Sequence, residues 1–158
     1  MPGGPILLTA VLSVLLQTLV LDRLLLWGVH PFLLPALVFL IGVRKGADQG
    51  AAAGLLTGAL RFLTGGPPWM IVLLSLTGGL SGALFYPTRG FWSGWLRFLP
   101  IAAGAEGLLV LLHWPARSAM SAAFSLACPE LLLLLLCYPP AALLGRACLR
   151  DPGALTRH

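Results

Sequence analysis

Four glycines stand at every fourth position between Arg44 and Pro68: Gly46, Gly50, Gly54 and Gly58, in RKGADQGAAAGLLTGALRFLTGGPP. Residues four apart lie on nearly the same face of a helix, so these glycines form a slowly drifting stripe without side chains. In water such a helix is a poor one, because glycine is the weakest helix former after proline. In lipid, apolar burial does not drive helices together, and close backbone approach becomes a main source of packing energy. Arg44, Lys45 and Asp48 bracket the stretch with charge, and Gly65-Gly66-Pro67-Pro68 stops it. The pattern predicts a short membrane helix over 47–63 serving as the central packing post of a bundle.

Composition leaves few alternatives. Of 158 residues, 58% are hydrophobic and only 9% are charged, against roughly 25% charged in an ordinary soluble domain. Mean hydropathy is +0.94. A chain this short of charge reads as an all-α integral membrane protein. Residues 1–158 form one polytopic domain, with no hydrophilic stretch left over for a soluble enzyme. The net charge of +5 reads as arginine and lysine in cytoplasmic loops, not as nucleic-acid binding. Cys128, Cys137 and Cys148 match no zinc or redox spacing and read as small apolar packing residues. The N-terminus lacks a basic region and a cleavage site, so the stretch from Ile6 reads as a retained first helix.

Apolar runs and their breaks predict a six-transmembrane-helix bundle over 6–21, 31–43, 47–63, 69–85, 96–114 and 130–149. The first run ends at Asp22-Arg23, and an interfacial connection at Trp27 leads to Pro31, a residue suited to a first helical turn. The second helix is short for a bilayer that needs about 20 residues. It therefore starts earlier with a kink, or the membrane thins around it. The fourth carries Trp69 and Tyr86 at its ends, like an aromatic belt, and a Gly78-x-x-x-Gly82 pair that makes it a mate for the third. Thr88 to Gly94 reads as a loop and 118–127 as a surface or re-entrant helix. Pro129 then opens the last helix, which Pro139-Pro140 should kink. With the N-terminus inside, the inner segments hold Arg44, Lys45, Arg89, Arg97, Arg146, Arg150 and Arg157, and the outer ones only Arg23, Arg61 and Arg117. That bias follows the positive-inside rule and places both termini in the cytoplasm.

Few polar residues could carry chemistry. Glu106 falls mid-helix, where an ionised carboxylate costs on the order of 3 kcal/mol. It is either a functional group or neutral glue, hydrogen-bonded where Gly104 and Gly107 leave room for a neighbouring helix. Glu130 sits at a helix N-terminus, where the dipole favours a carboxylate. Arg61 lies near the same side, so an Arg61–Glu130 pair is geometrically allowed. Gln17 reads as an interhelical hydrogen-bond donor, and His30 and His113 as interfacial histidines. No nucleophile elbow, P-loop or HExxH pattern occurs. The sequence therefore offers no catalytic, cofactor-binding or metal site. The candidates are helix-packing or partner contacts: Gly50, Gly54, Gly58, Gly78, Gly82, Glu106 and Glu130.

Several pieces in order give the chain a resemblance. Gln17-Thr18 precede the end of the first helix, and Pro31-Phe-Leu-Leu leads into the second. Arg44-Lys45-Gly46 closes that helix, and Gly50, Gly54-Leu-Leu and Gly58 follow. Gly65-Gly66-Pro67 precedes a glycine-bearing fourth helix, and Pro129-Glu130-Leu opens the last. Over roughly residues 6–146 the chain resembles the MreD family of bacterial rod-shape-determining membrane proteins. It departs at Arg61, where the family often has an acidic residue. The resemblance implies a bundle similar to the substrate-binding S components of energy-coupling-factor vitamin transporters. It also implies a place in the inner-membrane complex that builds side-wall peptidoglycan. The implied partners are MreC, RodA with its penicillin-binding transpeptidase, MreB filaments and membrane lipids. A non-enzymatic scaffold is the first reading. A vitamin-binding S component is the alternative, against which stands the absence of any asparagine and a supply of only two glutamines, Gln17 and Gln49. An enzyme acting on lipid or within the membrane would have only Glu106 and Glu130 to work with.

Overall fold

A computed structural model describes residues 4–24, 26, 30–87, 91–112 and 120–148; for residues 106, 109–112, 120–128 and 145–148 it describes the backbone alone. The described chain is all-helical. Its helices are α1 (Gly4–Leu19), α2 (Leu34–Lys45), α3 (Ala47–Leu63), α4 (Trp69–Phe85), α5 (Phe91–Leu112) and α6 (Met120–Cys148), with a 3₁₀ turn at Leu21–Arg23 after α1. Trp27, Arg89, His113, Trp114, Arg117 and the tail from Arg150 lie outside the described residues.

The centre of the bundle is α2. All ten residues from Leu34 to Val43 are buried, and α2 packs against each of the other five helices. A helix that is apolar on every side has to be enclosed on every side. This corrects the expectation that the glycine helix is the central post. One face of α3 is outward, with Leu55, Phe62 and Leu63 exposed. Phe39 of α2 is the hub of an aromatic cluster. Its ring lies 5.0 Å from Phe98 of α5 and 6.3 Å from both Phe85 of α4 and Tyr138 of α6.

Glycine makes the two tight connections of this half of the fold. Gly46 alone joins α2 to α3, at φ +99°, while its N–H donates to the Gly42 carbonyl at 2.8 Å. At the end of α3, Gly65 takes φ +96°, Gly66 N–H donates to Arg61 C=O at 2.8 Å and Gly65 N–H to Phe62 C=O at 3.0 Å. Those two bonds form the Schellman cap, which satisfies the last carbonyls of a helix.

Helix bounds for α3 and α4 coincide with those read from the sequence; the other four do not, and α1 runs over Gly4–Leu19 rather than 6–21. The second helix starts at Leu34 rather than Pro31, because Pro31 and Leu33 use their backbone groups to bond the Gln17 side chain. The fifth starts at Phe91 and absorbs half of the expected loop at Thr88 to Gly94. Phe91 packs on Tyr138 at 5.7 Å, and Gly94 is buried where the Tyr138 hydroxyl meets it. The last helix is one 29-residue element that includes 120–128 and carries Pro129, Pro139 and Pro140 inside it. Pro129 thus does not open it, and no separate surface or re-entrant helix forms. A proline removes one backbone bond; breaking the helix among apolar residues would leave several groups unpaired.

Candidate functional site

The first site candidate is a glycine node joining α2, α3 and α4. Gly50 lies against Gly78, Gly54 against Leu74 and Ser75, and Gly58 against Ile71. Numbers rise along α3 as they fall along α4, so the two helices run antiparallel. A Cβ added at Gly54 would stand 2.7 Å from Ser75 Cα, and one at Gly58 would stand 2.6 Å from Ile71 Cα. These neighbours are backbone atoms and cannot swing aside. Gly82 meets Ala47 in the same way, at 2.5 Å from Ala47 Cα. Sequence reasoning missed the third strip of this node. Gly42 of α2 faces Ser81 and Gly78 of α4, and a Cβ at Gly50 would stand 2.6 Å from Gly42 Cα. The available signal was that Gly42 is the only glycine in the helix expected over 31–43. Hydroxyls line the node and bond inward: Ser81 Oγ donates to Gly78 C=O at 2.9 Å, and Thr57 Oγ1 to Ala53 C=O at 2.7 Å.

The second candidate is a polar network where α1 ends, α2 begins and α3 ends. Gln17 is almost fully buried. Its Oε1 accepts from Leu33 N–H at 2.9 Å, and its Nε2 donates to Pro31 C=O and to Asp22 Oδ1, each at 2.8 Å. Asp22 Oδ2 takes the Arg61 Nη2 at 2.6 Å. Arg61 Nη1 points on to Thr64 Oγ1 at 3.4 Å. The Arg61 and Asp22 side chains retain 15% and 26% of their exposure. The ion pair is therefore screened less than a surface pair, yet neither charge is fully removed from solvent. Gln17 explains why α2 can begin inside the protein: its amide stands in for the missing side-chain cap at Leu33. Arg61 pairs with Asp22, and no Arg61–Glu130 pair forms. Opposite charges at the ends of the first and third helices, both assigned to the outer side, were the signal for that pairing.

The other candidates gather at neither place. Glu130 is half-buried inside α6, not at a helix N-terminus. Glu106 lies on α5, and its side chain falls outside the described residues. Among the described residues, nothing lies within 4 Å of a Cβ added at Gly104 or Gly107 beside it. Between α5 and α6 runs an open groove of about 380 Å³, lined by Phe91, Trp92, Trp95, Leu132, Leu135 and Leu136. Among the described residues no cluster of His, Cys, Asp or Glu is placed to hold a metal.

No family model, curated protein or solved structure matches the chain. The chemistry of the two sites is what distinguishes the possible roles. Every hydrogen-bonding atom of Gln17 faces a protein partner, and Asp22 uses both oxygens within the network. The glycine node is filled by backbone. Both arrangements suit holding helices together. The open α5–α6 groove presents hydrocarbon and indole surfaces suited to aliphatic matter.

Proposed function

We propose that the chain is a multi-pass scaffold of the bacterial inner membrane that holds partner transmembrane segments and carries out no catalysis. The observation that supports this reading most is the distribution of its side chains. Leu8 and Leu19 of α1, Leu63 of α3, Val72 and Leu84 of α4, Trp92 and Leu96 of α5 and Leu136 and Leu143 of α6 are all more than 60% exposed. Meanwhile Thr9, Ser13, Gln17, Thr57, Thr77 and Ser81 are buried. In water, contiguous apolar surface beyond a few hundred Å² drives association. In hydrocarbon the same surface is at home, and polar groups turn inward to find partners.

Helix lengths fit a thin or locally deformed bilayer. Among the described residues one stretch, Gly4–Arg23, is by itself long and apolar enough to cross a membrane, at 20 residues. Helices α3 and α4 have 17 residues each, about 25 Å at 1.5 Å per residue, against a hydrocarbon core of about 30 Å. Such a shortfall is met by local thinning and by flanking residues reaching for the interface. The 12-residue α2 is shielded by its neighbours and need not match the bilayer.

Taken with the resemblance to MreD, this supports a six-span bundle akin to the S components of energy-coupling-factor transporters, with both termini cytoplasmic. In this role it binds MreC and supports RodA, its penicillin-binding transpeptidase and MreB in side-wall synthesis. The internally paired network and the hydrocarbon-lined groove favour a scaffold over a carrier of water-soluble vitamins. Depletion of the chain in its own bacterium should turn rods into spheres, and the tagged chain should co-purify with MreC. Rods that persist after depletion, together with a vitamin retained by the purified protein, would overturn the proposal.

A further inference from the structure

We infer that the Gln17–Asp22–Arg61 network is a latch that fixes α1 against the rest of the bundle, and that α1 is the helix that swings when the latch opens. The reason lies in what else holds α1. Its buried residues are Thr9, Ala10, Ser13, Val14 and Gln17. Thr9 and Ser13 give their hydroxyls to carbonyls of α1 itself, at 2.6 and 2.8 Å. They therefore make no bond to another helix. Ile6 and Leu16 are only partly buried against the core. Leu7, Leu8, Val11, Leu12, Leu15 and Leu19 face outward. No glycine of α1 meets a neighbour, since Gly4 has nothing within 4 Å. Among the described residues α1 is thus held by a narrow strip of small or partly buried side chains and, at the C-terminal end, by the network.

That end is where the directed bonds concentrate. Gln17 ties α1 to the entry of α2, and Asp22 ties the turn after α1 to the last turn of α3 through Arg61. Removing the Asp22 charge leaves a largely buried guanidinium without its counter-ion, whose Nε already has no partner among the described residues. Val14 is packed in one cluster with Leu34 and Val38 of α2 and Leu74 of α4. An outward swing of α1 thus uncovers α2, the otherwise enclosed helix, to an incoming apolar segment. The latch works whichever partner the chain binds.

Pulsed electron-paramagnetic-resonance distances on the full chain in lipid nanodiscs test this. Cys128, Cys137 and Cys148 are first replaced by alanine. Spin labels at Leu19→Cys and Leu55→Cys then report α1 against α3, and labels at Leu55→Cys and Leu84→Cys report α3 against α4; all three sites are exposed. With the latch intact both distributions should be narrow. Asp22→Asn should broaden the α1–α3 distribution and add a longer component, with the α3–α4 distribution unchanged. The swapped pair Asp22→Arg with Arg61→Asp should recover most of the narrow α1–α3 distribution. An α1–α3 distribution that stays narrow in Asp22→Asn would overturn the latch. So would simultaneous broadening of α3–α4, which would make the pair a support of the whole fold, and so would a swap as broad as the single variant.

Discussion

The α3–α4 contact and the α5–α6 contact both join apolar helices, and they are made by opposite means. Along α3–α4 backbone lies on backbone: Gly50 on Gly78, Gly54 on Leu74, Gly58 on Ile71. Along α5–α6 side chains do the joining. Tyr138 stacks on Phe98 at 5.4 Å and meets Phe91 at 5.7 Å, and Trp95 Nε1 reaches Leu135 C=O at 3.5 Å. The first contact is mostly backbone against backbone, with Ser75 Oγ donating to Ala51 C=O at 3.3 Å across it, and has little freedom to adapt. The second can shift rotamers, and it leaves the groove beside it open. A bundle built this way keeps a stiff half, α2 with α3 and α4, and an adaptable half. The adaptable half is where the bundle can change its contacts without losing its fold.

The largest effect that would break this contrast is expected at Gly54→Leu. The new side chain would meet the backbone of Leu74 and Ser75, so the cost should reach or exceed the upper end of the roughly 1–3 kcal/mol usual for overpacking. Denaturant titration in detergent micelles, followed by circular dichroism, measures it. A variant as stable as the parent would mean that α3 and α4 are not in backbone contact. Next comes Gln17→Leu, which conserves bulk but strands Leu33 N–H and Pro31 C=O. Each buried group left unpaired costs about 1–3 kcal/mol, and the same titration should show the loss. Stability equal to that of the parent would show that the entry to α2 needs no cap. Smallest is Trp92→Ala in the adaptable half. Trp92 is 73% exposed, so stability should change by no more than about 0.5 kcal/mol. A loss of several times that would mean that the groove wall is structural and the α5–α6 contact as exacting as the other.

The stiff half was largely legible in the sequence and the adaptable half was not. Fourth-residue spacing of Gly50, Gly54 and Gly58, matched by Gly78 and Gly82, signals backbone packing wherever it occurs, and Gly65-Gly66-Pro67 marks a helix end by local conformation alone. Those signals need no knowledge of neighbours. Gly42 escaped notice because a single glycine has no period. The start of α5 was misread because Gly94 and Thr88 are turn-like locally, whereas Tyr138, some forty residues on, supplies the packing that makes 91–94 helical. Pro129 misled for a similar reason: its local preference for a first turn yields to the continuity of a long apolar helix. The Asp22–Arg61 pair joins residues far apart in the chain, and nothing in their separate surroundings names the partner. Centrality is also non-local. The apolar α2 and the glycine-bearing α3 both read as packing elements, and only the assembled bundle shows that α2 is the enclosed one.

The claim that backbone contact holds the stiff half is tested most directly by a pair of alanine substitutions compared in one thermal-unfolding experiment. Alanine is the better helix former by up to about 1 kcal/mol, so propensity alone raises the Tm of both variants. At Gly104, where nothing lies within 4 Å of an added Cβ, Gly104→Ala should raise the Tm or leave it unchanged. At Gly50 the same methyl group would enter the space of Gly78 and stand 2.6 Å from Gly42 Cα. There Gly50→Ala should lower the Tm, against the propensity trend. A Gly50→Ala variant that melts at or above the parent temperature, in step with Gly104→Ala, would contradict the account.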